Sequence, residues 1–259
     1  MSFAIAALTK NLLNKIIKKN FFTIIKNIKF NSYYYFIFII DRNSLLDVMI
    51  KLKKLIIACD GESASGKSTA AKLVSKKYKL LLINSGLLYR YCSKIIIQNR
   101  PKFIIPFLKD RFKKISYKSI ANQKLHSEEI SNHVAILAKN KKVREIVNQL
   151  QMKIIKTNNR ICVEGRDIAS KVLAKNPKYD LAFYFKCNLQ VASYRRWLDL
   201  KKSVPLNEVK KSLRLRTHID KNRRNSPLIK VKDAILINTD KLNKKEVLAK
   251  MSEAIEKKF

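Results

Sequence analysis

Glycine occurs only four times in 259 residues and proline five times. Neither gathers into a linker, and no internal repeat is present. The length therefore reads as one domain, or one domain with a small insert. Cysteine is also scarce. Cys59, Cys92, Cys162 and Cys187 show no C-x-x-C spacing, which excludes a zinc site or a disulfide framework and suits a reducing, cytoplasmic compartment. Cys59, Cys162 and Cys187 sit in or beside apolar runs, where free cysteine packs as a small hydrophobe. The apolar run Tyr33–Ile40 has eight residues, far short of the roughly 20 that span a bilayer. No membrane span is expected.

Acidic residues are the most conspicuous shortage: 19 Asp and Glu stand against 56 Lys and Arg, giving a formal net charge of +37. Such a balance suits an anionic partner. However, 43 of the basic residues are Lys and only 13 are Arg, with Ile and Asn abundant as well. An AT-rich coding bias gives this pattern, so much of the charge reads as solvated surface. The placement of Arg says more. Eight of the 13 fall between positions 160 and 224: Arg160, Arg166, Arg195, Arg196, Arg214, Arg216, Arg223 and Arg224. A guanidinium binds phosphate as a planar fork, which an ammonium cannot do, so this region is expected to handle phosphates.

Residues 1–48 differ from the rest. Residues 1–40 contain no acid, and no small-residue cleavage site follows the run at 33–40. Two readings fit this extension: Met49 as the true start, or a weak surface or targeting segment. From residue 49 onward apolar runs alternate with helical patterns. Leu55–Cys59, Leu80–Ile83, Ile161–Val163, Leu181–Phe185 and Ala234–Ile237 read as five buried strands. Lys67–Tyr78, Glu128–Lys156, Leu189–Leu200 and Glu246–Lys257 read as helices. This alternation predicts an α/β fold with a parallel sheet covered on both faces. Lys114–Ile120 alternates weakly and is expected as a strand of a small insert at about 94–133.

The decisive stretch is Gly61-Glu62-Ser63-Ala64-Ser65-Gly66-Lys67-Ser68, followed by Thr69. It matches G-x-x-x-x-G-K-[ST] between a predicted strand and a predicted helix, the context this phosphate-loop motif requires. Backbone amides would cradle phosphates there, Lys67 would reach the β- and γ-phosphates, and Ser68 would offer its hydroxyl to Mg²⁺. Two further constellations follow strand ends. Ser85, expected to cap a helix, precedes Tyr89 and Arg90, which suit an acceptor nucleotide and its phosphate. Glu164-Gly165-Arg166-Asp167 leaves the third strand: Glu164 can order Mg²⁺ or its waters, Arg166 suits a phosphate, and Asp167 can accept from an exocyclic amine.

Together these residues resemble bacterial-type cytidylate kinase, a nucleoside monophosphate kinase family, over about residues 52–258. The carriers are DGESASGKST (60–69), NSGLLYR (84–90), VREIV (143–147), VEGRDIAS (163–170), YRRWLDL (194–200) and IDKNRRNSPL (219–228). The resemblance implies a P-loop NTPase fold with a CMP-side insert at about 94–133 and a mobile lid at about 201–224. It implies Mg²⁺-dependent phosphoryl transfer from ATP to CMP or dCMP in the cytoplasm, by a monomer with no specific nucleic-acid partner. Residues 61–69 would bind ATP. Ser85, Tyr89, Arg90, Arg144, Arg166, Asp167, Arg216, Asp220 and Arg223 would bind the acceptor. Lys67, Arg166, Arg216 and Arg223 would stabilise the transition state, and Ser68 and Glu164 would hold the metal.

Several positions depart from the family pattern. Glu62 stands where Pro is usual, Ser68 replaces a frequent Gly, Ala135 aligns with a sugar-contacting Ser, and Ile219 and Lys221 replace basic lid residues. Three rivals remain at this point, the first two being nucleotide-handling homologues. One is a kinase for another monophosphate, and the second a weakened nucleotide-binding homologue. The third is a basic nucleic-acid-binding ATPase, against which stands the lack of aromatics interleaved with the Arg cluster.

Overall fold

A computed structural model describes residue 50, residues 53–125 and residues 127–258. The extension expected over residues 1–48 lies outside the described residues. Strand β1 (Leu55–Gly61) is buried along its whole length, as its unbroken apolar run requires of a central parallel strand. It pairs in parallel with β3 (Arg160–Glu164) on one side and β4 (Leu181–Lys186) on the other. Strands β2 (Leu81–Asn84) and β5 (Ile235–Asn238) form the edges, giving the order β2-β3-β1-β4-β5 with every pairing parallel. The edges are less buried, with Leu81 and Leu236 exposed. All five expected strands are present, each within two residues of its predicted ends.

Helix α1 (Lys67–Tyr78) follows β1 with the predicted boundaries. Helix α2 (Ser85–Asn99) follows β2, and α3 (Ile104–Lys114) and α4 (Tyr117–Ala121) follow in turn. The strand expected at 114–120 is therefore not formed. Ser116 accepts a hydrogen bond from the Ser119 amide and starts a helical turn instead, and Ile120, buried three residues after Tyr117, faces inward. The single helix expected over 128–156 is two: α5 (Glu128–Leu137) and α6 (Lys141–Lys156). Asn140 breaks it by capping the amides of Lys142 and Val143.

Helices α2 to α6 share a hydrophobic cluster built from Leu88, Ile96, Leu108, Ile120, Val134 and Val147 among others. A second cluster lies against the sheet, with Ile56, Ala58, Ile83, Val163 and Ile168 at its heart. Beyond β3, a short π-helical turn (Ile168–Val172) leads to β4, then to α7 (Leu189–Asp199) and α8 (Leu206–Asn222). Cys187, Ala192, Val209 and Leu213 bury the contact of these two helices, with Trp197 half-buried beside them. Tyr194, three residues earlier on α7, is exposed. Helix α9 (Lys244–Glu256) closes the chain behind a capping box formed by Asn243 and Glu246. All four cysteines are free and buried. No helix among the described residues is long and apolar enough to cross a membrane.

Candidate active site

The carboxyl ends of all five strands lie at one edge of the sheet. In open parallel sheets the ligand crevice forms outside that edge, where connections leave in opposite directions. Here β1 sits between β3 and β4, and the loop after β1 enters a cleft of about 1130 Å³.

The loop's shape follows from its glycines. A Cβ on Gly61 would lie 2.4 Å from the Phe185 carbonyl oxygen, so no side chain fits where the loop leaves β1. Gly66, at φ 79°, turns the chain into α1 from the left-handed region that only glycine enters freely. The first-turn amides of α1 have no intrahelical acceptor and lie where an anion is stabilised. Ser65 donates to the Glu62 carbonyl at 2.9 Å, and Lys67 Nζ donates to the same oxygen at 3.2 Å. From the tip of β5, Thr239 donates to the Ser65 carbonyl, and Arg195 holds the Thr239 backbone in turn. The motif gave no sign of either residue.

Lys67 is buried, and Nζ lies 3.8 Å from Glu164 Oε1 at the tip of β3. Burial pulls its ammonium down to about 7, Arg166 adds to the fall, and Glu164 opposes it. The Ser68 hydroxyl donates to that same Glu164 oxygen at 2.8 Å. Ser63 to Thr69 line the cleft, but Gly61 and Glu62 are not among its lining residues. Glu62, the residue that stands where Pro is usual, does not face solvent. It is mostly buried instead, paired with Lys221 of α8.

Across the cleft, the residues predicted for the acceptor come from four separate stretches of chain. Asn84, rather than Ser85, caps α2, its side chain accepting from the Leu87 amide. Asn84 takes this role because it occupies the extended residue just before the helix, whereas Ser85 is already helical. The Ser85 hydroxyl accepts from buried Gln151 of α6. Gln151 was missed, although it lies seven residues after Arg144 on the same inward face of α6. A Cβ on Gly165 would lie 3.3 Å from Ser85 Oγ and clash with Ile168, so glycine there keeps the two strand tips close.

Tyr89 is buried beneath Arg144, whose guanidinium carbon lies 5.6 Å from the ring centroid. Burial raises its phenol pKa, and its hydroxyl finds no hydrogen-bond partner among the described residues. Arg90 is held by the Leu125 carbonyl at 3.0 Å and by the Ser131 hydroxyl at 2.9 Å.

The remaining acceptor residues form a charged chain. Arg144 pairs with Asp167, and Arg223 lies 3.7 Å from the other oxygen of that carboxylate. Arg223 also reaches Asp220 at 3.5 Å, and Arg166 donates to Asp220 at 2.8 Å and to Ser63 of the phosphate loop at 3.1 Å. Burial alone would raise the Asp220 carboxyl, but Arg166, Arg223 and Arg216 outweigh it and hold it below the usual range. Arg216 also lines the cleft. Burial, with Arg166 next, pulls its guanidinium down to about 10. Lys67, Arg90, Arg144, Arg166, Arg216 and Arg223 thus face Glu164, Asp167 and Asp220 in one cleft. That excess of positive charge suits polyanionic ligands.

The Arg-rich stretch 160–224 is not uniform. Arg166, Arg195, Arg196, Arg216 and Arg223 line the cleft, and Arg160, Arg214 and Arg224 do not. Arg160 begins β3, at the opposite end of the strand from Glu164, and donates to the carbonyls of Ile50 and Tyr78.

The family model described as cytidylate kinase matches residues 57–257. A cytidylate kinase from Listeria innocua is 32% identical over 224 residues, covering 80% of this chain and 98% of the relative. One from Phytoplasma mali is 32% identical over 211 residues, covering 74% and 90% respectively. A solved shikimate kinase from Bacteroides thetaiotaomicron aligns at 10% identity and a TM-score of 0.43, covering 78% of this chain and 98% of that one. With its phosphate loop, its arginine-lined cleft and a family match spanning most of its length, the chain belongs to the cytidylate kinase family.

Proposed function

We propose that this chain transfers the γ-phosphoryl group of ATP to CMP or dCMP, as a cytoplasmic monomer. The observation that carries the reading is the convergence of Arg90, Arg144, Arg166, Arg216 and Arg223 on the cleft entered by the phosphate loop. One phosphate group is gripped by loop amides and Lys67, the other by guanidinium groups. Phosphoryl transfer asks little covalent chemistry of a protein, so positioning and charge neutralisation supply the catalysis.

In this reading Ser63 to Thr69 hold the ATP phosphates, and Lys67 bridges toward the γ-phosphate. Arg90 and Arg144 fix the CMP phosphate, while Tyr89 and Ser85 shape the sugar and base side. The Asp167 carboxylate accepts from the cytosine amino group. Arg166 is the link between the two halves, because it touches Ser63 of the loop and Asp220 of the acceptor side. It is therefore placed, with Arg216 and Arg223, to stabilise charge on the transferring group. The acceptor phosphate is itself the nucleophile, so no protein nucleophile is assigned. The kinase domain would span 49–259, with the helical insert at 94–133 and residues 201–224 as a lid that excludes water when both nucleotides are bound.

Ser68 and Glu164 suit Mg²⁺. They are hard oxygen donors already 2.8 Å apart, and among the described residues no group of three or more His, Cys, Asp or Glu side chains forms a metal cage. Such a sparse donor set fits an ion held partly by substrate phosphates. When bound, Mg²⁺ would neutralise charge on the phosphates.

An ADP-coupled assay over a panel of nucleoside monophosphates tests the proposal. CMP and dCMP should turn over well above UMP, AMP and GMP. Turnover of a different monophosphate, or of none, would overturn it.

A further inference from the structure

We propose that Asp60 is a positioning residue for the acceptor site, capping from β1 the turn that carries Arg166 and Asp167. This rests on the acceptor role proposed for those two residues.

The turn Ile168–Val172 begins with Asp167 at its N-cap, φ −141° and ψ 28°, yet Asp167 makes no side-chain cap. An aspartate at an N-cap normally turns its carboxylate back to satisfy the next free amides. Here the Asp167 carboxylate points the other way, to Arg144 and Arg223. Two first-turn amides, including the one at the second helical position that an N-cap carboxylate would take, are satisfied by Asp60. One oxygen of Asp60 accepts from the Ile168 amide at 2.8 Å, and the other accepts from the Ala169 amide at 2.8 Å. Asp60 is 2% exposed, and the bond from the Gly165 amide to the Cys59 carbonyl at 2.9 Å ties the same two segments just upstream. A cap supplied from the neighbouring strand thus frees Asp167 for the acceptor pocket. It also ties the Arg166–Asp167 turn to the strand that ends in the phosphate loop.

The position of Asp60 makes the test discriminating. It lies one residue before the phosphate loop, so a purely structural role would disturb ATP at least as much as CMP. Asp60→Asn keeps one acceptor oxygen and sets an amide N–H₂ against the other backbone N–H, while Asp60→Ala removes both bonds. The measurement is steady-state kinetics of the full chain and both variants, varying CMP and ATP in turn. The expected result is graded. The KM for CMP rises on the order of tenfold in Asp60→Asn and further in Asp60→Ala, with the KM for ATP nearly unchanged.

An unchanged KM for CMP in both variants, or equal rises for both substrates, would overturn the inference. If Asp60→Ala does not fold, Asp60→Asn carries the test alone. Failure of both to fold would also overturn it, because Asp60 would then be holding the domain rather than the acceptor turn. Absence of CMP turnover in the parent chain would count against the proposed function instead.

Discussion

Lys221 Nζ lies 2.6 Å from Glu62 Oε1, an ion pair that joins helix α8 to the phosphate loop. Lys221 is 45% exposed at its side chain and Glu62 only 12%. The ammonium therefore offsets a mostly buried carboxylate carried by the phosphate loop itself.

Lys221→Met should raise the KM for ATP, by about fivefold at most, since a partly exposed pair couples by no more than about 1 kcal/mol. In a Glu62→Gln background the same change should have little effect. A double-mutant cycle on the KM for ATP measures the coupling, and the effect should fade at high salt. Equal effects of Lys221→Met in both backgrounds would contradict the pairing.

Lys67→Ala should remove most of the activity, about 2–4 kcal/mol of transition-state stabilisation. Lys67 also ties the loop through the Glu62 carbonyl, so circular dichroism checks the fold, and loss of kcat with the fold intact is the expected outcome. Near-normal turnover would refute the assignment.

Asp167→Ala should raise the KM for CMP far more than that for ATP. It should also destabilise the fold by about 3–5 kcal/mol, because it strands Arg144 without its buried partner and leaves Arg223 unopposed on that side. Urea unfolding and two-substrate kinetics read the two effects separately. If ATP binding suffers equally, the acceptor-side role is wrong.

The pH dependence of stability should carry a signature of Asp60. Burial pushes its carboxyl up to about 7, the amides of Ala169 and Ile168 oppose the rise, Asp167 adds to it and Lys67 opposes it. An unfolded aspartate titrates near 4 (about 3.9). Between those values the folded chain holds a proton that the unfolded chain releases. The contribution is therefore fully present below about pH 4 and is lost as pH rises through about 7. The unfolding free energy of the parent minus that of Asp60→Asn should fall between pH 5 and 7 and flatten above 8. A difference that stays flat over this range would contradict the raised value.

Much of the fold was legible because its signals are local. The five apolar runs and the Gly61–Ser68 motif each specify their element without help from distant residues, and α1 has its predicted boundaries. The insert was misread where local pattern is weak. Lys114–Ile120 alternates like a strand, but Ser116 capping and the burial of Ile120 against other helices decide for a helix. The break at Asn140 was hidden because both sides of it are helical. At the site, motif residues were found, while the residues that hold them were not. Gln151, Thr239 and Ser131 act through single hydrogen bonds to Ser85, Ser65 and Arg90. Only the fold brings such pairs together.

The central claim is that one cleft grips two nucleotides with their phosphates end to end. A dinucleotide that joins cytidine and adenosine through five phosphates tests it most directly. It should bind one per chain and inhibit competitively against both ATP and CMP. Competition with ATP alone, leaving the KM for CMP untouched, would show that the arginine side does not receive the second phosphate.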